Sequence, residues 1–267
     1  MLETIYVINF LGMIALPVLL GIYLARKFKL SWKLFLAGGL TFIASQVLHI
    51  PLLTGLTALF KNGTLPSPPA AWSTTFNAVL LGLLAGIFEE TARFILFKFF
   101  LKQTHTWNEG LFIGLGHGGT EAIILGLAAA AGFINMIVLR NVDISKLPIS
   151  AEQIMTLKQQ VTAYWSVPYY VAILGLVERV FAISLHLSLS VMVLYSVLKK
   201  QSGWFWFALL WHSLVDGLTV YLLPAIGMIK IEGIVTIFGI LSLGILFAFR
   251  PKFPQLTSTQ DEQVTSV

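Results

Sequence analysis

The segment that decides the fold is WSTTFNAVLLGLLAGIFEETARFILFKFF, residues 72–100. It is apolar over more than the roughly 20 residues with which a helix crosses a bilayer. It nevertheless carries two adjacent glutamates, Glu89 and Glu90, and the cation Arg93. Charged side chains inside an apolar span are costly, so they indicate a membrane helix whose polar face is buried and serves a function.

The composition extends this interpretation to the whole chain. Of the 267 residues, 57% are apolar, 11% are charged and none is cysteine. A soluble domain carries roughly 25% charged residues, so a cytosolic enzyme, a nucleic-acid-binding domain and a disordered chain are excluded. The lack of cysteine excludes disulfides, thiolate metal ligands and a cysteine nucleophile. We attribute the net charge of +5 to basic loops beside anionic lipid, with no nucleic-acid partner.

The hydropathy pattern predicts an all-α polytopic membrane bundle of about seven transmembrane helices. The predicted spans are 5–25, 32–60, 72–100, 110–139, 168–198, 203–223 and 226–249. Residues 150–165 predict an amphipathic surface helix that begins with a capping box at Ser150 and Gln153. We expect residues 1–254 to form a single transmembrane bundle and 255–267 to form a disordered polar tail. Basic residues favour the cytoplasmic side two to one if the N-terminus is outside, which predicts an N-out, C-in orientation.

Ionisable side chains are concentrated in four consecutive predicted spans, at a cost of about 2.5–3.5 kcal/mol each for full charges. These residues are Glu89, Glu90 and Arg93; His117 and Glu121; Glu178, Arg179 and His186; and His212 and Asp216. Within each span the spacings of three, four or seven residues place polar groups on one helix face. We therefore expect four polar faces that converge inside the bundle, in the cytoplasmic half of the bilayer.

The residue types indicate the chemistry of activating water against an amide. Two adjacent carboxylates in a low dielectric do not both ionise easily, so one is a candidate general base while Arg93 keeps the other charged. The histidines can bind a metal or donate to an oxyanion. We expect Asp216 and Glu121 to orient the imidazoles that lie one turn away on their own helices, His212 and His117. No HExxH motif is present, which excludes a conventional zincin helix.

Four segments together resemble the YhfC-type branch of the PrsW and CAAX-protease/bacteriocin-processing superfamily of intramembrane proteases. They are Glu89-Glu90-Thr91-Ala92-Arg93, the glycine-rich run from Gly114 to Glu121, Glu178-Arg179 with His186, and His212 with Asp216. The resemblance covers residues 82–218, about half of the chain. One departure is that Phe112 and His117 are separated by four residues where the CAAX-protease motif has three, which leaves open whether His117 or Glu121 contacts the reacting groups.

The resemblance implies hydrolysis of peptide bonds in membrane-associated proteins or peptides, in a bacterial plasma membrane. It implies Glu89 or Glu90 as the base for water, and His186 and His212 as ligands or oxyanion donors. Arg93, His117, Glu121, Arg179 and Asp216 are then supporting residues. A Zn²⁺ ion would be held by His186, His212 and Glu121, while a metal-free glutamate mechanism stays open.

Other interpretations of the same residues remain. A non-catalytic membrane scaffold or immunity protein can inherit the polar core, and a proton-coupled transporter also uses buried Glu and His residues. The glycines around His117 are equally typical of close helix packing. We assign no function to His49, which stands alone near Pro51, or to His105 in a loop.

Overall fold

A computed structural model describes residues 1–254, and their regular secondary structure is helical throughout. The α-helices are α1 (Leu2–Phe28), α2 (Trp32–Lys61), α3 (Ser73–Ile95), α4 (Trp107–Asn141), α5 (Ala151–Ser166), α6 (Tyr169–Ala172), α7 (Leu174–Lys199), α8 (Ser202–Ile226) and α9 (Met228–Phe249). This confirms the polytopic helical bundle. The predicted tail, residues 255–267, lies outside the described residues.

Six segments of the described chain are long and apolar enough to cross a membrane. They are α1, α2, α4, the continuous stretch of α6 and α7, α8, and α9 with its short extension to Lys252. Helix α3 has 23 residues, enough in length for a span, but it carries Glu89, Glu90 and Arg93 and is not among the six. The seventh span and the N-out orientation therefore stay predictions.

Helix boundaries follow from capping side chains. Helix α4 begins at Trp107, three residues before the predicted span, because Thr106 and Glu109 form a capping box. The predicted box of Ser150 and Gln153 is present at the start of α5. The third predicted span continues past α3 as one π-helical turn, Leu96–Phe100. Capping motifs therefore extend helices beyond the apolar stretch that hydropathy detects.

Helix α7 is the central element of the bundle. It packs against α4 and α9, with further contacts to α8, α1 and α3. Its residues Ile183–Leu194 are buried in an unbroken run, and residues Gly110–Gly119 of α4 form a second such run. Because α3 packs closely along α8, the polar faces of α3, α4, α7 and α8 lie next to one another.

Glycines permit this close packing. On α4, a Cβ at Gly116 would collide with the backbone carbonyl of Phe35 on α2. On α3, a Cβ at Gly82 would collide with the backbone carbonyl of Ser213 on α8. The glycine-rich run of α4 is therefore a packing surface, and it also brings His117 within reach of the groups on α2 and α3.

Candidate active site

Glu90 and Arg93 form an ion pair on one face of α3. Both side chains are fully buried, with 0% exposure. Their i,i+3 spacing makes the contact local, as the sequence indicates. The second oxygen of Glu90 is buried without a protein partner among residues 1–254. Glu90 therefore binds Arg93 and His212 and is closed off from solvent.

His212 of α8 is oriented by Glu90. Its Nδ1 lies 2.8 Å from Oε1 of Glu90. Because that carboxylate is ion-paired to Arg93 and can only accept, Nδ1 donates this hydrogen bond. Nε2 lies 3.9 Å from Oε2 of Glu89 and 3.5 Å from Oδ2 of Asp216. This nitrogen is therefore presented to the groups that line a cavity.

His186 of α7 has both ring nitrogens engaged. Arg93 can only donate, so its Nη2 donates to Nδ1 of His186 across 2.7 Å. Nε2–H of His186 then donates to Glu121 at 2.7 Å. The other oxygen of Glu121 accepts from Arg179 at 2.6 Å, and Arg179 also pairs with Glu178. Glu121 of α4 therefore orients an imidazole on α7, a helix that packs against it.

His117 of α4 shares a proton with Glu89 of α3. The single hydroxyl proton of Thr41 is donated to the carbonyl of Gly38 at 2.6 Å, so His117 Nδ1 donates to Thr41 Oγ1 at 2.8 Å. Nε2 of His117 lies 2.9 Å from Oε2 of Glu89. Two lone pairs cannot face each other at this distance, so one proton lies between these two atoms.

A cavity of about 310 Å³ opens beside these groups, enough for several water molecules. Its polar side is formed by Glu89, Glu121, Arg179, His186, His212 and Asp216, together with Glu178 and His49. Its apolar walls come from α3, α7, α8 and α9 and include Leu81, Phe181, Val215, Val235 and Phe238. Polar residues from all four predicted helices therefore meet at one pocket, which Glu89 lines and which Glu90, Arg93 and His117 do not.

Three residues within the described part of the chain could hold a metal ion: Glu89, His186 and His212 are buried, and each offers one donor atom within 4.8 Å of the others. Two histidines and a glutamate are a known donor set of catalytic zinc. Each imidazole also has a carboxylate behind it, Glu90 for His212 and Glu121 for His186, as metal-binding histidines generally do. This donor set fits zinc.

The arrangement differs from the sequence expectation in how the carboxylates are shared. We expected Glu121 to orient His117 and Asp216 to orient His212, each along its own helix. Instead the orienting contacts cross between helices, with Glu121 on His186 and Glu90 on His212. Asp216 lies on the Nε2 side of His212, at the cavity. Glu121, a predicted zinc ligand, is not in the donor group, because its two oxygens are paired with Arg179 and His186.

Sequence reasoning missed the contribution of α2. Thr41 contacts His117, Gln46 Nε2 donates to Oε1 of Glu89 at 3.2 Å, and His49 lines the cavity. A signal was present, because Thr41, Ser45 and His49 recur every four residues and form one polar stripe. Glu232 of α9 was also overlooked; it is buried, and one of its oxygens lacks a partner in the described chain.

The fold and pocket define a class, that of polytopic membrane proteins with a buried glutamate–histidine centre. Residues 12–239 match the sequence model of the YhfC intramembrane metalloprotease family. The chain is also 30% identical over 203 residues to the uncharacterized membrane protein YhfC of Bacillus subtilis (strain 168), covering 75% of this chain and 77% of that protein. The chain therefore belongs to the YhfC intramembrane metalloprotease family. No solved structure matches it.

Proposed function

We propose that the protein is an intramembrane endopeptidase that hydrolyses peptide bonds of membrane-associated substrates in a bacterial plasma membrane. The observation that carries this proposal is the position of Glu89. It lines a pocket within the bundle, beside His186 and His212, whose lining also includes apolar residues. Amide hydrolysis needs a general base, hydrogen-bonding or metal-binding groups, and space for a water molecule. The carboxylate of Glu89, the two imidazoles and the cavity provide these.

Glu89 is the better candidate of the two adjacent glutamates for the base. It lines the cavity, whereas Glu90 is enclosed by Arg93 and His212. In the proposed step, Glu89 accepts a proton from a water molecule whose oxygen attacks the scissile carbonyl carbon. When the C–N bond breaks, the proton passes to the leaving amine. Nε2 of His212, 3.9 Å from Oε2 of Glu89, faces the same cavity and is placed to hydrogen-bond this water and orient it.

His117 and Gln46 support Glu89 in this scheme. The proton shared with Nε2 of His117 and the hydrogen bond from Gln46 fix the carboxyl plane of Glu89. Because the plane of the carboxyl group is fixed, Glu89 presents one defined edge to the cavity. The base is therefore positioned before the substrate arrives. Thr41 acts one step further out, because it fixes the tautomer of His117.

Glu89, His186 and His212 would hold a zinc ion. A bound zinc ion would supply Lewis-acid activation of water and of the scissile carbonyl. The carboxylates Glu90 and Glu121 would then keep the two imidazoles in their ligating orientation. In this version Asp216, which lines the cavity near Nε2 of His212 and has no arginine partner among the described residues, would be the carboxylate that receives a proton.

One observation favours the metal-free glutamate version. Two of the three donors already have a strong protein partner: Arg93 donates to Nδ1 of His186, and Oε2 of Glu89 contacts Nε2 of His117. In this version Glu89 is the base, as described above. The two versions use the same side chains. The zinc version predicts that cleavage is lost when the metal is removed, and the glutamate version predicts that cleavage persists without metal.

The apolar wall of the cavity defines the substrate class. Leu81, Phe181, Val215 and Phe238 line the cavity together with the polar groups. Such a surface binds an apolar segment of a membrane protein better than a charged soluble peptide. We therefore propose single-span membrane proteins or apolar peptides as substrates.

Hydrolysis is tested with purified protein in detergent and a fluorescein-labelled single-span peptide with a Leu/Ala core and a central Gly-Gly pair. Incubation in ¹⁸O-labelled water should place one ¹⁸O atom in the new carboxyl terminus, read by mass spectrometry. His212→Ala should abolish the product, whereas the matched variant His105→Ala, at an exposed loop position, should retain it. Equal product from both variants would contradict the proposal.

The role of metal is tested by measuring zinc in the purified protein and in His186→Ala and His212→Ala. About one zinc per chain in the wild type, lost in both variants and after chelation together with cleavage, supports the zinc version. Cleavage that persists at negligible zinc content supports the glutamate version.

A further inference from the structure

His49 of α2 stands apart from the other histidines of the bundle. It lines the same cavity as Glu89, His212 and Asp216, yet neither of its ring nitrogens has a hydrogen-bond partner within residues 1–254, and both atoms are buried. His117 and His186 have protein partners at both nitrogens. Buried polar atoms in native proteins are nearly always paired, so the partner of His49 is expected to come from the contents of the cavity.

The ring of His49 is held in a defined orientation. It stacks on Phe88 of α3 with ring centroids 5.5 Å apart and planes 14° from parallel. Phe88 directly precedes Glu89 in the chain, so the stack ties the imidazole to the segment that carries the proposed base. A ring that is oriented by stacking and has no polar partner is suited to receive a ligand.

The chemistry of a neutral imidazole identifies the ligand. The ring presents one N–H donor and one lone pair, and a peptide group presents one carbonyl acceptor and one N–H donor. Most other polar groups that line the cavity already have protein partners, whereas both nitrogens of His49 are unpaired within residues 1–254 and so are available to a peptide backbone that enters the cavity. An unwound apolar segment has backbone groups that require such partners inside a membrane.

We infer that His49 is a substrate-binding residue that hydrogen-bonds the backbone of an apolar peptide segment beside the scissile bond. This inference rests on the proposed peptidase function, and it adds α2 to the helices that contact the substrate. It assigns His49 to binding and leaves water activation to Glu89.

Two variants of His49 distinguish a role in substrate binding from a role in stabilising the fold. His49→Phe keeps a ring against Phe88 and removes both nitrogens, whereas His49→Gln keeps one donor and one acceptor. Because the nitrogens of His49 have no protein partner, the melting temperature of His49→Phe should be unchanged or higher than that of the wild type. Its KM for the Gly-Gly single-span peptide should rise about tenfold with kcat changed less than about threefold, as expected for lost hydrogen bonds of modest strength. His49→Gln should recover most of the affinity.

Binding is measured separately from cleavage, so that failure of the inference and failure of the peptidase proposal can be told apart. The probe is the same peptide with its central amide replaced by a non-hydrolysable reduced bond, and its Kd is read by fluorescence anisotropy. A roughly tenfold weaker Kd for His49→Phe, with recovery in His49→Gln, supports the inference even if the wild type cleaves no peptide. An unchanged Kd, a lowered melting temperature with unchanged Kd, or no saturable binding to the wild type overturns it.

Discussion

Two Glu–Arg ion pairs of the molecule differ in burial, and burial changes how much each charge depends on its partner. Glu90 and Arg93 on α3 are both 0% exposed, whereas Glu3 and Arg140, at the ends of α1 and α4, are 58% and 53% exposed. An exposed pair is screened by water and contributes about 0–1 kcal/mol. A buried pair has lost its hydration, so each charge depends on its partner.

The buried centre is informative about function because it is not needed for stability alone. Apolar residues of similar volume often pack in place of a buried ion pair with no loss of stability. The centre nevertheless keeps Glu89, Glu90, Arg93 and three imidazoles in one connected network. We interpret this network as the support of the proposed base, Glu89, at the cavity. The exposed pair makes no comparable connection.

The largest expected effect is on activity when Glu89 becomes Gln. The glutamine amide can still donate to Nε2 of His117, so the fold should persist while the base is lost. Removal of a general base lowers the rate about 10²–10⁴-fold. Cleavage of the Gly-Gly peptide should fall by this amount in Glu89→Gln and stay at the wild-type rate in Glu3→Gln. Equal cleavage rates in the two variants would contradict the assignment of Glu89 as the general base.

The next effect is on stability when Arg93 becomes Met. This change leaves the buried carboxylate of Glu90 without its cation and removes the donor to Nδ1 of His186. Breaking a buried pair from one side costs about 3–5 kcal/mol. The melting temperature in detergent should drop sharply, and Arg93→Lys, which retains the charge, should lose less. A Met variant as stable as the wild type would show that the pair is not needed for folding.

A smaller effect is expected from the packing between α2 and α4. Gly116→Ala places a methyl group against the carbonyl of Phe35 and should destabilise by about 1–3 kcal/mol. Gly132→Ala on the same helix meets no atom within 4 Å, so it should be neutral or stabilise by about 0.5–1 kcal/mol. Thermal unfolding of both variants measures the difference. An equal change in stability at both positions would show that the close approach of Phe35 does not restrict position 116.

The smallest effect is expected at the exposed pair. Glu3→Gln removes the charge partner of Arg140 but leaves that cation stacked over Trp165, 4.8 Å from the ring centroid. The free energy of unfolding should change by less than about 1 kcal/mol. A loss comparable with that of Arg93→Met would remove the contrast between buried and exposed pairs.

Much of the fold was predictable because membrane helices follow hydropathy. The predicted spans lie within or overlap the observed helices, and the capping box of α5 was found at Ser150 and Gln153. The start of α4 was missed by three residues, because its first turn is amphipathic and is set by Thr106 and Glu109. Hydropathy averages over such short polar ends.

The site was predictable only in part. Charged residues within spans identified Glu89, Arg93, His117, His186 and His212 as groups that face one another. Which carboxylate serves which imidazole could not be deduced from spacing, because the hydrogen bonds of Glu90 and Glu121 cross between helices. The contacts of Thr41 and Gln46 were missed because uncharged polar residues in a span are inexpensive and so give a weak signal.

The central claim is that water reaches the pocket between α3, α7 and α8 inside the bundle, and the natural lack of cysteine makes its direct test simple. Thr219→Cys places a thiol on the cavity wall, and Leu214→Cys places one on the outer face of the same helix, where Leu214 is 45% exposed. Both variants are treated in detergent micelles with a charged, water-soluble thiosulfonate, which needs a hydrated thiolate. We predict rapid labelling at 219 and little at 214. Labelling confined to 214, or absent at 219 in a folded protein, would contradict a water-filled site.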